Sequence, residues 1–266
     1  MKQVRLLLFS LCFLTTIFPK YTFAQAVNLN SNGTIIQITA DNGIEWQQET
    51  LLFIARGNAK ALRGSVSVNA SELRAYYRKL PKGTTEVWRI DAIGNVKFKS
   101  DENFGYGDYA IYDIDSKILT MTGKALKLVA GNDLITAKKQ MEYWEEKQMA
   151  VARGSAIAIR DKKEIRANIL AAYFKKTPKI GTKIYRVNAF EQVQIITDQD
   201  QARANRGVYN VESGIATLTG SVKITRDKNV LKGCSAEINL NTGVSRLLRC
   251  PKSNKRVSGA ITKKNR

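Results

Sequence analysis

The segment Phe53-Ile-Ala-Arg-Gly57-Asn-Ala-Lys-Ala61 sets a local pattern that returns five more times along the chain. The other five are Ile90-Asp-Ala-Ile-Gly94-Asn-Val-Lys-Phe98, Leu119-Thr-Met-Thr-Gly123-Lys-Ala-Leu-Lys127, Ala150-Val-Ala-Arg-Gly154-Ser-Ala-Ile-Ala158, Val187-Asn-Ala-Phe-Glu191-Gln-Val-Gln-Ile195 and Ala216-Thr-Leu-Thr-Gly220-Ser-Val-Lys-Ile224. The centres 57 and 154, 94 and 191, 123 and 220 are each 97 residues apart, so the chain reads as a tandem duplication of a block carrying three such segments.

Two and four residues either side of each centre, 23 of 24 positions are apolar, Lys127 being the exception. At one and three residues only 6 of 24 are apolar. A period of two belongs to strands with one buried and one wet face, not to helices. Buried parallel strands would read as unbroken apolar runs. The expected fold class is therefore all-β, built of half-exposed strands.

The offset extends beyond these segments. Ile38-Thr-Ala40 matches Ile135-Thr-Ala137, and Pro81 matches Pro178. The prolines mark hairpin loops. Leu73-Arg-Ala-Tyr-Tyr77 lies among alternating neighbours and reads as strand. Met141-Glu-Tyr-Trp-Glu-Glu-Lys147 has a helix-like composition, but it aligns with Ile44–Gln48 and is expected to be a strand end running into a turn. The whole chain should hold 14 to 16 strands.

Met1-Lys2-Gln3-Val4-Arg5, an apolar run from Leu6 to Phe18 and the small residues up to Ala26 have the layout of a secretory signal peptide, cleaved after Ala26 or Ala24. We expect 1–26 to be the signal, 27–34 a flexible lead-in, 35–248 one domain and 249–266 a basic disordered tail. No spacer separates the two blocks. The formal charge is +20, and removal of Lys2, Arg5 and Lys20 with the signal leaves +17. Such a surface attracts polyanions, and export argues against nucleic acid among them. Two cysteines, Cys234 and Cys250, follow the signal and can pair in an oxidising compartment or remain free thiols. A closed loop of that size is worth roughly 3 kcal/mol in the chain-entropy picture.

The chain has no histidine, which removes the commonest general base, the triads that need one and most zinc sites. Gly105-Tyr-Gly107 is read as a flexible turn. Asp108, Asp113 and Asp115 cluster, but their counterparts at 205, 210 and 212 are Asn, Asn and Glu, which suits turn chemistry better than catalysis. A two-carboxylate glycosidase ranks last. No enzyme activity, cofactor or metal site is expected.

The inward set is rich in alanine, including Ala55, Ala59, Ala61, Ala150, Ala152, Ala156 and Ala158, with larger residues such as Phe53, Phe98, Met121 and Leu218 among them. Two readings stay open at this point. Small side chains leave room for a ligand cavity, or large and small residues interdigitate into a solid core. A carboxylate at Glu191 on the apolar parity would be costly to bury, which places its strand at a rim or bulge.

The opening Ile38-Thr-Ala-Asp-Asn42, together with the recurring Ala-Arg-Gly-Asn-Ala, Ile-Gly-Asn-Val, Met-Thr-Gly-Lys and Leu-Thr-Gly-Ser-Val, resembles the periplasmic lipopolysaccharide-transport bridge proteins, the LptA/OstA-like family. The resemblance runs over about residues 35 to 248. It implies an open, V-shaped antiparallel β-jellyroll whose apolar groove shields the lipid A acyl chains of lipopolysaccharide in the periplasm. It further implies head-to-tail self-association through edge strands, and a bridge between an inner-membrane ABC-transporter complex and an outer-membrane translocon. By motif, Ile36, Ile38, Val96, Phe98, Tyr112 and Ile114 fall on groove-lining positions, and Phe53, Leu119 and Met121 complete the candidate lining. The contrasting reading is a structural scaffold of an envelope assembly with no lipid cargo.

Overall fold

The computed structural model describes residues 36–81, 83–100, 103–177, 181–249 and 256–261. The expected signal peptide and the lead-in lie outside the described residues. Every regular element is a strand and every pairing is antiparallel. In the first block these are β1 (Gln37–Thr39), β2 (Ile44–Gln47), β3 (Leu52–Arg63), β4 (Val66–Lys79), β5 (Thr85–Ser100), β6 (Asn103–Asp113), β7 (Ile118–Thr122) and β8 (Leu126–Ala130). The second block contains β9 (Asp133–Ala137), β10 (Gln140–Trp144), β11 (Met149–Arg160), β12 (Lys163–Thr177), β13 (Gly181–Ile196), β14 (Gln201–Asn210), β15 (Ile215–Arg226) and β16 (Asn229–Asn239). β17 (Ser245–Leu248) and β18 (Ser258–Ala260) follow. The 97-residue step reappears in the elements: β3 and β11 begin at 52 and 149, β4 and β12 at 66 and 163.

The repeated segments are the corners of this fold. Pairing of β3 with β4 slips between Arg56 and Ala59, and pairing of β11 with β12 slips between Arg153 and Ala156. At these slips Gly57 and Asn58 have φ of 80° and 41°, and Gly154 and Ser155 have 83° and 49°. Two successive left-handed residues drop out of the ladder and bend the strand, as β-bulges do. The glycine therefore leaves the inward face although it sits on the apolar parity. Its neighbours two residues away, Ala55 and Ala59, or Ala152 and Ala156, stay buried. Glu191 and Gln192 adopt the same conformation, φ 63° and 55°, without glycine. Glu191 is exposed and accepts a 2.7 Å hydrogen bond from Asn168 Nδ2, so its carboxylate needs no buried partner.

The third segment breaks outright. Gly123, Lys124 and Ala125 separate β7 from β8, and this odd insertion shifts the parity so that Leu126 is buried and Lys127 points out. Lys127 was the exception in the apolar pattern for that reason. Similar breaks between β1 and β2 and between β9 and β10 are fastened to the adjoining corner by backbone bonds, Asp41 N to Gly57 O and Lys138 N to Gly154 O, both 2.8 Å. Three corners that break instead of bending, plus two short strands at the C-terminal end, raise the count among the described residues to 18 against the expected 14 to 16.

Because each long strand crosses the corner once, it gives one half to each of two half-sheets. The first half-sheet runs through β1, β8, β9 and β18 and the halves of the long strands they pair with. The second runs through β2, β7, β10 and β17. Their apolar faces meet in a single core, and hairpin loops alternate between two lips opposite the corner. The result is an open antiparallel β-jellyroll, a long sheet folded along one line.

Residues 256–261 of the expected basic tail are among those described. Ser258–Ala260 pair with Val230–Lys232 as β18, where the N-terminal half of β16 has a vacant edge to satisfy. Cys234 on β16 is disulfide-bonded, and Cys250 lies outside the described residues. Gly105-Tyr-Gly107, read as a turn, is instead interior to β6. A Cβ on Gly105 would stand 3.2 Å from Met121 Sδ and one on Gly107 3.1 Å from Leu126 Cδ2, so these glycines make space for neighbouring side chains.

The corner makes a prediction of opposite signs. Glu191→Gly should raise thermal stability by about 1 kcal/mol through relief of the left-handed conformation, less whatever the Asn168 contact contributes. Gly57→Ala should lower it by about 2 kcal/mol, since its Cβ would lie 2.9 Å from the Asn42 backbone nitrogen. Thermal melts of the two variants check both signs.

Candidate ligand groove

The space between the half-sheets is not uniform. At the lips of the first block, where it adjoins the second, lies a cavity of about 340 Å³, bounded by Ile36, Ala61, Val68, Ile90, Phe98, Tyr112 and Leu119 of the first block and Tyr143 of the second, with Arg63, Glu145 and Lys176 also on its wall. Deeper, a space of about 40 Å³ adjoins it among Phe98, Met121, Met141, Ala150 and Phe174. Inside the second block the apolar spaces shrink to about 30 and 10 Å³, and the one space of comparable size there, about 350 Å³, lies at the lips among polar side chains such as Asp161, Lys163, Asp198, Gln199 and Asn241. There the lips meet: Lys163 Nζ donates to Asn241 Oδ1 at 2.9 Å, and Arg226 Nη2 to the Gly243 carbonyl at 2.7 Å. The apolar trough is therefore open toward the first block and packed inside the second, where the remaining opening at the lips is lined mainly by polar side chains.

Of the nine residues expected to line a groove, Ile36, Phe98, Tyr112, Leu119 and Met121 do bound these spaces. Ile38, Phe53 and Val96 are buried in the packed core, and Ile114 packs against it from the edge. Two residues from a corner centre Ala55, Ala59 and Ala156 are fully buried, and so are the larger Leu218, Val193, Val96 and Val222 at the same offset, so small and large side chains interleave beside the corner. Room for a ligand comes from the divergence of the lips, although Ala61, Ala150 and Ala152 do line it.

Tyr143 was missed as a lining residue because its segment was read only as a strand end. Its ring bridges the half-sheets, 5.9 Å from Phe98 and 6.2 Å from Phe174, and forms the floor between the two spaces. The alignment of Tyr143 with Trp46 was the one available signal, and it pointed elsewhere: Trp46 is 56 % exposed and stacks on Tyr77. At the mouth the Tyr112 hydroxyl donates to Glu145 Oε2 at 2.8 Å. Burial first, and then this acceptor, push the phenol well above its ordinary value. Burial likewise pushes Tyr77 up to about 12, and its buried hydroxyl has no hydrogen-bond partner among the described residues. Both phenols stay neutral at physiological pH, so Tyr112 adds no charge to the wall.

The aspartate cluster is structural. Asp113 Oδ1 accepts from Ser116 N and Oγ at 2.7 Å each, and the Ser116 bonds hold its carboxyl below the usual range. Asp115 pairs with Arg78, and Asp108 accepts from Lys124 N at 2.8 Å. Among the described residues no group of acidic or cysteine side chains is arranged to hold a metal ion.

The second half-sheet neutralises its outward charges locally. Asp91 receives Arg89 Nε at 2.6 Å and Tyr109 Oη at 2.8 Å. Glu142 is nearly buried, and burial opposes its charge. Arg153 Nε at 2.6 Å, Trp144 Nε1 at 2.8 Å and Gln140 Nε2 at 2.9 Å outweigh that penalty and hold the carboxyl below its ordinary value.

A long sheet folded along one line, with an apolar trough between its halves, defines an open antiparallel jellyroll, without a catalytic cluster among the described residues. The chain belongs to the family described as LptA/(LptD N-terminal domain) LPS transport protein, whose model matches residues 37–140 and again 134–244. The two matches start 97 residues apart, 134 against 37, the same step as the repeated corners. Among solved structures the chain is similar to LptH, the LptA homologous periplasmic component of the conserved lipopolysaccharide transport device from Pseudomonas aeruginosa, at 14 % identity and a TM-score of 0.44. That similarity covers 49 % of this chain and 95 % of the LptH chain. No curated protein matches the chain.

The Glu142 cluster gives a pH test. Its folded pKa lies below the unfolded value of about 4.3, so its contribution is fully present above that value and is lost as pH falls through the depressed folded pKa. Glu142→Gln should therefore cost about 1–3 kcal/mol at pH 7, with the gap closing toward pH 3, as read by urea unfolding of both proteins across that range.

Proposed function

We propose that this chain is a non-enzymatic periplasmic carrier of lipopolysaccharide, and that the first-block cavity receives lipid A acyl chains. The observation that carries the reading is the location of the open space. It lies where the lips part, is walled by Ile36, Phe98, Leu119 and Tyr143, and has Arg63 and Lys176 at hand for phosphates. Each methylene moved from water into such a wall contributes about 0.8 kcal/mol, so binding strength comes from the chains. The rim cations orient the head group. The volume of about 340 Å³ falls in the range of small-ligand pockets, enough to seat part of a chain before the lips move further.

In this proposal the two ends of the sheet serve assembly. β1 and β2 at one end, and β17 and β18 at the other, are short edge strands of three or four residues. An unpaired edge is a template for strand addition. Head-to-tail stacking of copies, and docking to an inner-membrane ABC-transporter complex at one end and an outer-membrane translocon at the other, would use this backbone pairing. We also assign Cys250 as the disulfide partner of Cys234.

Photocrosslinking tests the reading. A photoreactive residue at Leu119 or Tyr143 should capture lipopolysaccharide in living cells, while one at the outward-facing Lys97 should capture at least tenfold less. Adding Phe98→Asp should abolish capture at Leu119 in folded protein. Equal capture at inside and outside positions, or none at either inner site, would exclude the cavity as the binding place.

A further inference from the structure

The outward face of the first half-sheet carries a line of charge that the trough does not use. Followed from strand to strand through paired Cα positions, Lys60, Lys97 and Lys127 fall on one cross-strand row. After two uncharged rungs, Thr136 and Ile157, the same row continues through Arg166, Arg203, Lys223 and Lys232. All of these cations are exposed, and the row from Lys60 to Lys232 contains no acid. Among the described residues only Arg166 has an ion pair, with Glu164 one row away. Lys97 and Lys127 instead lie over the ring of Tyr106, which stands between them on the row, at 5.8 and 4.4 Å. On the second half-sheet Arg56, Arg89 and Arg153 are by contrast paired within 2.9 Å to Glu45, Asp91 and Glu142.

The geometry limits what such a row fits. Strands about 4.8 Å apart put Lys60 and Lys232, eleven rungs from each other, roughly 53 Å apart along the sheet. Cations on alternate strands are then about 10 Å apart, close to the Debye length in physiological salt, so each reinforces the next. That spacing is sparse for a nucleic acid, which carries a charge about every 1.7 Å of duplex. A sheet twists by about 20° per strand, so the row winds around the molecule and a flat bilayer could meet only a few neighbouring rungs. A flexible chain with one acid per sugar or two can follow it, crossing the uncharged Thr136 and Ile157 rungs.

We propose that this row binds a linear acidic glycan laid across the strands. The site lies on the far side of the sheet from the cavity and stands independently of lipid carriage. Oligogalacturonates of defined length, carrying one carboxylate per sugar, provide the probe, with binding to the mature protein read by calorimetry. Affinity should rise with chain length until the chain matches the row and then level off. The variant Lys97→Gln/Lys127→Gln/Arg203→Gln/Lys223→Gln should lose at least tenfold. Its charge-matched control, Lys79→Gln/Lys124→Gln/Lys147→Gln/Lys162→Gln, should lose less than twofold. Equal losses in the two variants would reduce the effect to net charge, and no glycan binding at all would remove the site. Tighter, row-dependent binding to phosphatidylglycerol vesicles or to DNA would assign the row to another partner. Crosslinking at Leu119 should persist in the row variant, so failure of either proposal leaves the other standing.

Discussion

Everything in this fold follows from the corner, a pair of left-handed residues that a strand can adopt at low cost only where glycine leads. Gly57-Asn58 and its equivalents remove two residues from each ladder and turn the strand through the fold line. Because neighbouring strands bulge at matching places, the bends stack into one continuous crease. The crease converts a single antiparallel sheet into two half-sheets facing each other. Without it, the period-two pattern would specify a flat sheet with one exposed apolar face.

Small and large side chains interleave beside the crease, where Ala55, Ala59 and Ala156 are completely buried together with Leu218, Val193, Val96 and Val222. Whether facing residues meet between crease and lips decides whether a cavity exists. In the second block Ile165, Val187, Val193 and Ile195 close the gap, and the Lys163–Asn241 contact ties the lips. In the first block the lips stay apart, and Tyr143 spans the interior without filling it.

Much of this was legible in the residues. Alternation around six centres specified the strands and their inward faces, and the 97-residue step anticipated that the same corner would appear twice. The break at Gly123 was visible only as a misfit at Lys127, because parity arithmetic assumes an unbroken strand. Gly105 and Gly107 looked like a turn, since no sequence rule signals that a glycine inside a strand is clearing space for Met121 and Leu126. The lining was partly legible. Phe98, Leu119 and Met121 share inward parity with Phe53 and Val96, and parity does not tell which inward residues face a gap in the opposite half-sheet. Tyr143 escaped because its role depends on the opposite half-sheet, which local pattern cannot place.

The central claim is that the trough is open to lipid in the first block because its lips diverge there. Quantifying lipid bound to the purified protein, with and without Ala61→Trp, tests it most directly, since an indole at that position would fill the cavity while leaving crease and lips intact. The account predicts that the unaltered protein carries a phosphorylated, multiply acylated glycolipid from envelope extracts and that the filled variant, folded to the same extent, carries little. An unaltered protein free of lipid, or a filled variant that retains the same load, would contradict it.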